Sequence, residues 1–194
     1  MSGRSVERLP MRTFIAVEVP VAIRDRIAEL ENRLKGTETD IKWVEPGNIH
    51  ITLKFLGNIE TDQSAVIRNG LCTALDAIDS FDLKLGRVGA FPDLNRPRVF
   101  WVSVNEGREK LTAMQQCIES ELHTCGFVRE ERPFSPHLTI GRVRSPKGLA
   151  KLTERVQATT FETEPFPVTR VAVVKSDLKP EGPVYTVMDH VELG

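Results

Sequence analysis

Apolar positions along the chain recur with two periods. Residues 13–19 are rich in β-formers and are stopped by Pro20, which reads as a short strand. Over 21–35, Ile23, Ile27, Leu30 and Leu34 fall on one stripe of a helix, with Gly36 placed to end it. A short strand is expected at 41–44, and the turn signal Pro46-Gly47 leads into Asn48-Ile49-His50-Ile51-Thr52-Leu53-Lys54-Phe55. Alternation there sets Ile49, Ile51, Leu53 and Phe55 on one face and His50, Thr52 and Lys54 on the other. Thr61 is positioned to cap a helix reaching Ile78, with Ile67, Leu71, Leu75 and Ile78 as its buried stripe. Residues 81–91 alternate loosely as a further strand.

The same order then returns. After the loop at 92–97 comes a strongly β-forming strand at 99–104, and Leu111, Gln115, Ile118 and Leu122 repeat the first helical stripe at an offset of 88 residues, ended by Gly126. Pro136-His137-Leu138-Thr139-Ile140-Gly141-Arg142 repeats the His-x-Thr strand at an offset of 87 residues. A short helix at 146–157, a connection around Pro165 and Pro167, and strands at 169–175 and 184–191 joined by Gly182-Pro183 complete the chain. A period this long indicates duplication rather than a solenoid. The pattern predicts a single bilobal domain over 1–194: a loose tail at 1–11, a first repeat at about 12–91, a second at about 98–175 and a closing hairpin at about 176–194.

Composition narrows the function classes. With 194 residues, 40% of them hydrophobic, the chain can bury a real core. Lys plus Arg (26) nearly balances Asp plus Glu (27), so any attraction to nucleic acid must be local. Arg129, Arg132, Arg142, Arg144 and Lys147 outnumber Glu130 and Glu131 around the second His-x-Thr strand, which fits either a modest basic patch or a solvated face. Cys72, Cys117 and Cys125 have no CxxC spacing and read as reduced thiols, and no run approaches the ~18 apolar residues of a membrane span. A soluble cytoplasmic protein is expected.

Each half thus presents one imidazole and one hydroxyl on the non-core face of a strand. If the halves pack about a pseudo-two-fold axis, the two imidazoles face each other across a groove and divide acid and base work. Thr52 and Thr139 are then placed to donate to the oxygens of a tetrahedral anion such as a phosphodiester. Arg142 carries a permanent charge suited to phosphate, but strict alternation puts it on the face opposite His137, so it reaches the groove only through a bend or bulge near Gly141. Lys54 has the correct parity, although a solvated lysine is the plainer reading. His123 and His190 lack this context and read as structural or surface residues. No HExxH, HxH or Cys/His cluster supports a metal site, no Gly-x-Ser-x-Gly elbow supports a serine nucleophile, and no glycine motif supports a nucleotide cofactor.

These motifs resemble the two-histidine (2H) phosphoesterases, and more narrowly the RNA 2′,3′-cyclic phosphodiesterases also called 2′-5′ RNA ligases. The resemblance runs through Phe14-Ile15-Ala16-Val17, Lys42-Trp43-Val44, His50-Ile51-Thr52-Leu53-Lys54-Phe55-Leu56-Gly57, Arg98-Val99-Phe100-Trp101, Phe134 to Arg142, Ser176-Asp177-Leu178 and Gly182-Pro183-Val184-Tyr185. Gly141 departs from the alanine often found in related sequences. The resemblance implies an α+β fold with two antiparallel sheets facing a central groove and helices on the outside. It also implies metal-independent opening of a terminal 2′,3′-cyclic phosphate to a 2′-phosphate on RNA or oligonucleotide ends; no cofactor is expected, and a monomer is expected. By the same resemblance His50 is the proton donor to the leaving 3′ oxygen, His137 the proton acceptor from water, and Thr52, Thr139 and Arg142 bind the phosphoryl group; the strand pattern alone is symmetric and does not distinguish the histidines. Two alternatives stand beside this: 2′-5′ ligation at the same site, and a non-catalytic RNA end-binding module. Trp43, Phe134 and Tyr185 are candidates to stack on a base, and core packing explains an aromatic side chain equally well.

Overall fold

The computed structural model describes residues 10–36 and 38–194. In chain order these form β1 (Met11–Glu18), α1 (Val21–Leu34), β2 (Ile41–Trp43), a 3-10 turn (Pro46–Asn48), β3 (His50–Ile59), α2 (Gln63–Leu75), β4 (Phe81–Phe91) and β5 (Val99–Glu106). There follow α3 (Arg108–Thr124), β6 (His137–Val143), α4 (Leu149–Ala158), β7 (Phe166–Val168), β8 (Arg170–Lys179) and β9 (Gly182–Glu192). Met11 opens β1 rather than ending a tail, and residues 1–9 of the expected tail lie outside the described residues.

Two antiparallel sheets result, in the orders β3-β1-β8-β9 and β2-β6-β5-β4-β7. Each half keeps its own His-x-Thr pairing, β1 with β3 and β5 with β6, but sends its last long strand across: β8 pairs with β1, and β4 pairs with β5. The repeats therefore exchange strands, and each sheet is completed by the other half. The short β2 crosses as well, setting Trp43 opposite Gly141 of β6. The helical stripes supply the core: Ile27, Leu30, Leu34, Ile67, Leu71, Leu75, Leu111, Ile118 and Leu122 are all 0% exposed. Among the described residues no helix is long and apolar enough to cross a membrane.

Local departures from the periodic reading have physical causes. Asp62, not Thr61, stands at the N-cap of α2, and the helix stops at Leu75, after which the Ile78 N–H returns to the Leu75 carbonyl at 3.0 Å. The Pro165 and Pro167 connection contains an edge strand, β7; Pro167 is tolerated there because an edge position need not donate to a ladder.

The largest departure is in β3. Ile15 pairs with Lys54 but Ala16 pairs with Thr52, so Leu53 is an extra residue, a β-bulge. Leu53 and Lys54 both turn inward, each 3% exposed, and Phe55 is thrown outward at 58% exposed. Alternation had placed these two the other way round. Lys54 is not a solvated lysine on the His50 face: its Nζ donates to Glu119 Oε1 at 2.6 Å and to the Val128 carbonyl at 2.7 Å, while the Glu130 N–H donates to the same carboxylate oxygen at 3.0 Å. This buried pair ties the first half to α3 and to the segment that leads into β6.

Breaking it strands a buried charge, so Lys54→Ala is expected to cost about 3 to 5 kcal/mol in denaturant unfolding, more than Lys54→Met paired with Glu119→Leu, which removes both charges. A second buried acid is also readable by stability. Glu31 on α1 is 2% exposed, its Oε1 has no partner among the described residues, and burial pushes its pKa up to about 8 despite Lys35 nearby. The folded state therefore holds a proton that the unfolded chain releases near pH 4.5. Stability is lost as pH rises from that value to about 8, so Glu31→Gln should match wild type in acid and be the more stable of the two in alkaline melts.

Candidate active site

His50 stands at the first position of β3 and His137 at the first position of β6, so both imidazoles are held where strand begins and the preceding loop can supply partners. The supply is the same in each half. His50 Nδ1 lies 2.7 Å from the Asn48 carbonyl, and His137 Nδ1 lies 2.6 Å from the Ser135 carbonyl, two residues upstream in both cases. A carbonyl only accepts, so each Nδ1 carries the proton and each Nε2 is left with its lone pair. Thr52 donates its hydroxyl to His50 Nε2 at 3.0 Å. Leu138 and Ile140 point into the core, which leaves His137 and Thr139 together on the opposite, half-buried face.

Arg142 joins them through a second bulge. Trp101 pairs with Thr139 and Phe100 with Gly141, so Ile140 is the extra residue of β6. Ile140 and Gly141 are both buried, and Arg142 emerges exposed on the histidine face. Gly141 makes this fit: a Cβ there would stand 2.9 Å from Ile41 Cγ2 and 3.2 Å from Trp43 Cε3, the side chains of β2 that pack against the bulge. The bulges fall at the same distance after each histidine, so Arg142 and Phe55 occupy corresponding places in the two halves.

Aromatic rings form the floor. Phe14 stacks on His50 with ring centroids 4.7 Å apart, and Tyr185 of β9 meets His50 edge-on at 5.2 Å. On the other sheet Phe91 meets His137 edge-on at 4.9 Å and lies tilted against Trp101 at 5.2 Å. Burial lowers both imidazole pKa values below 6.5, against the pull of the Asn48 and Ser135 carbonyls, and for His137 the Arg142 charge lowers it further. The same guanidinium acts on the Tyr185 phenol, whose pKa is raised by burial and brought back by Arg142 and Arg12.

Of the three aromatic candidates for stacking on a base, only Tyr185 faces an imidazole; Trp43 and Phe134 pack against the core. Phe55, on the histidine face, was hidden by strict alternation. His190 donates no catalytic group to this cluster and instead meets Glu18 Oε2 at 2.6 Å, and His123 Nδ1 lies 3.3 Å from the Phe127 carbonyl. Among the described residues no three His, Cys, Asp or Glu side chains are grouped to hold a metal ion.

Two antiparallel sheets, each carrying one His-x-Thr strand, are the arrangement of the two-histidine phosphoesterase class. The chain belongs to the 2′-5′ RNA ligase superfamily, whose sequence profile matches residues 19–180. An RNA 2′,3′-cyclic phosphodiesterase of Methanothermobacter thermautotrophicus is 34% identical over 182 residues, spanning 93% of this chain and 98% of that protein. One of Archaeoglobus fulgidus is 36% identical over 177 residues, spanning 90% and 96%. A crystal structure from Thermus thermophilus superposes with a TM-score of 0.78 at 25% identity, covering 94% of this chain and 98% of that one. Escherichia coli LigT complexed with 3′-AMP shares the fold with a TM-score of 0.74 at 23% identity, covering 95% and 99%.

The electrostatics are open to direct test by histidine NMR. Both imidazoles should titrate below pH 6.5 in the free protein. Replacing Arg142 by Gln should move the His137 titration to higher pH and leave that of His50 in place; equal movement of both, or of neither, would contradict the geometry.

Proposed function

We propose that the protein is an RNA 2′,3′-cyclic phosphodiesterase that opens a terminal cyclic phosphate to a 2′-phosphate. The observation that carries this is the matched presentation of two Nε2 atoms, each with Nδ1 anchored by a carbonyl two residues upstream, beside two threonines and one arginine. An RNA end is the substrate this suits, because the groove offers hydroxyl and guanidinium donors to a phosphoryl group and exposed Phe55 beyond it as a face for a base.

In the proposed reaction water attacks phosphorus as His137 Nε2 takes its proton. The bond to the 3′ oxygen breaks as protonated His50 delivers a proton to it from Nε2, leaving the phosphate on the 2′ oxygen. Thr52 and Thr139 donate to the non-bridging oxygens, and Arg142 offers its fork to the charge that builds there. The asymmetry of the two imidazoles supports the assignment of roles. Arg142 lies close enough to His137 to favour its neutral form, which a base requires, whereas His50 is shifted by burial against the Asn48 carbonyl alone. Arrival of an anionic phosphate draws the Thr52 hydroxyl away from His50 Nε2 and favours the imidazolium. Joining RNA ends through a 2′-5′ linkage is a second reading, favoured by the superfamily's description, because the reverse reaction uses the same acid and base.

Hydrolysis of a nucleoside 2′,3′-cyclic phosphate by folded His50→Ala and His137→Ala should fall about 100- to 10,000-fold in kcat, and Arg142→Gln about 100- to 1,000-fold. For the free enzyme kcat/KM should peak below pH 6.5, since it needs one imidazole protonated and the other neutral and both pKa values are lowered. Activity should survive chelator. Undiminished turnover in either histidine variant would overturn the mechanism, and tight salt-sensitive binding with no turnover would point to an RNA end-binding module.

A further inference from the structure

Beside Phe55 stands a cation that the proposed chemistry does not use, Arg12. Along β1, Phe14 and Ala16 face the groove, clustered with Ala172, Val174 and Tyr185, while Thr13, Ile15 and Val17 are buried toward the helices. The extra residues opposite β1 lie in β3, so the alternation of β1 itself is unbroken. Arg12, two residues before Phe14, therefore projects from the same face as His50's aromatic neighbours. It pairs in register with Asn58 of β3, and with Phe55, Gly57 and Asn58 it lines an open depression of about 270 Å³.

Arg12 has no counter-ion among the described residues. Among the described residues no hydrogen bond or ion pair engages its guanidinium, although acidic partners occupy Arg26, Arg68 and Arg170 elsewhere on the surface. An exposed guanidinium on a groove wall beside an exposed aromatic ring is the combination that binds single-stranded nucleic acid: the ring takes a base and the cation takes backbone phosphate. Its field overlaps that of Arg142 at the Tyr185 phenol, whose pKa both charges lower. Both cations thus act on Tyr185, which touches His50, and Arg12 with Phe55 lines the depression.

We propose that Arg12 and the depression between β1 and β3 form a second phosphate subsite, which binds the 5′-phosphodiester of the terminal nucleotide and so makes an RNA end a better substrate than a free cyclic nucleotide. This rests on the cyclic phosphodiesterase reading for where the terminal phosphate sits. A terminal nucleotide carries its cyclic phosphate on one side of the ribose and its 5′ phosphate on the other, so a substrate held at the histidines and stacked on Phe55 directs the rest of its chain along this wall. Adenosine 2′,3′-cyclic phosphate has a 5′-hydroxyl but no phosphate to place there.

The test compares that mononucleotide with the dinucleotide ApA ending in 2′,3′-cyclic phosphate. Wild type should favour the dinucleotide through a lower KM, and Arg12→Gln should lower kcat/KM for the dinucleotide about tenfold more than for the mononucleotide, with Arg12→Lys recovering part of the difference. The slope of log affinity against log salt for the dinucleotide should shrink by about 0.7, the release expected for one single-strand phosphate contact. Binding of ApA bearing a terminal 2′-phosphate, set against 2′-AMP by titration calorimetry, reads the subsite without turnover. A discrimination lost in Arg12→Gln supports the subsite even if hydrolysis is absent, which would count against the phosphodiesterase reading alone. Equal effects of Arg12→Gln on the two ligands, or none on either, would overturn it.

Discussion

The site depends on two breaks in strand alternation. A β-strand turns successive side chains to opposite faces, so a regular strand beginning at His137 would carry Arg142 into the core. An extra residue three positions after each histidine, Leu53 in β3 and Ile140 in β6, reverses the parity and brings Phe55 and Arg142 round to the histidine face; β3 has a second irregularity beyond it, at Leu56. Each bulge has its own means of support. In β6 it is the absence of a side chain at Gly141, which lets Ile41 and Trp43 pack close. In β3 it is a cation drawn inward, at a desolvation cost that Glu119 and the Val128 carbonyl offset. Duplication supplied the geometry twice, and the two halves then diverged at the residue each bulge buries.

Electrostatics follow from that placement. Both imidazoles are packed against aromatic rings that disfavour their charged forms, and the carbonyls at Nδ1 only partly counter this. The groove is therefore poised for an anion: neutral bases, a hydroxyl aimed at one of them, and a permanent cation over the other. Desolvated charge on a bound phosphate interacts with such donors more strongly than it would in water.

Much of this was legible in the residues themselves. The helical stripes of α1, α2 and α3 were readable because a buried face imposes a 3.6-residue period that local sequence must satisfy, and the two His-x-Thr strands were visible as a pair because duplication preserved their spacing. The exchange of β4 and β8 between sheets was not, since either edge of β1 or β5 satisfies the same alternation and only the tertiary arrangement chooses. Lys54 and Phe55 were assigned to the wrong faces for a related reason. A bulge leaves no mark on hydrophobic period beyond a single slip, and a lysine at the slip reads as surface until Glu119, 65 residues away in sequence, is seen beside it. Arg142 was recognised as needing a bulge near Gly141, where the glycine offered a cue that β3 lacks.

The central claim is that these two bulged strands act on a single phosphorus. A crystal structure with 2′-AMP bound tests it most directly. The account predicts one phosphate with oxygens in hydrogen-bonding contact with His50, Thr52, His137, Thr139 and Arg142 together. A phosphate held by one half alone, with Arg142 turned away from it, would contradict the account.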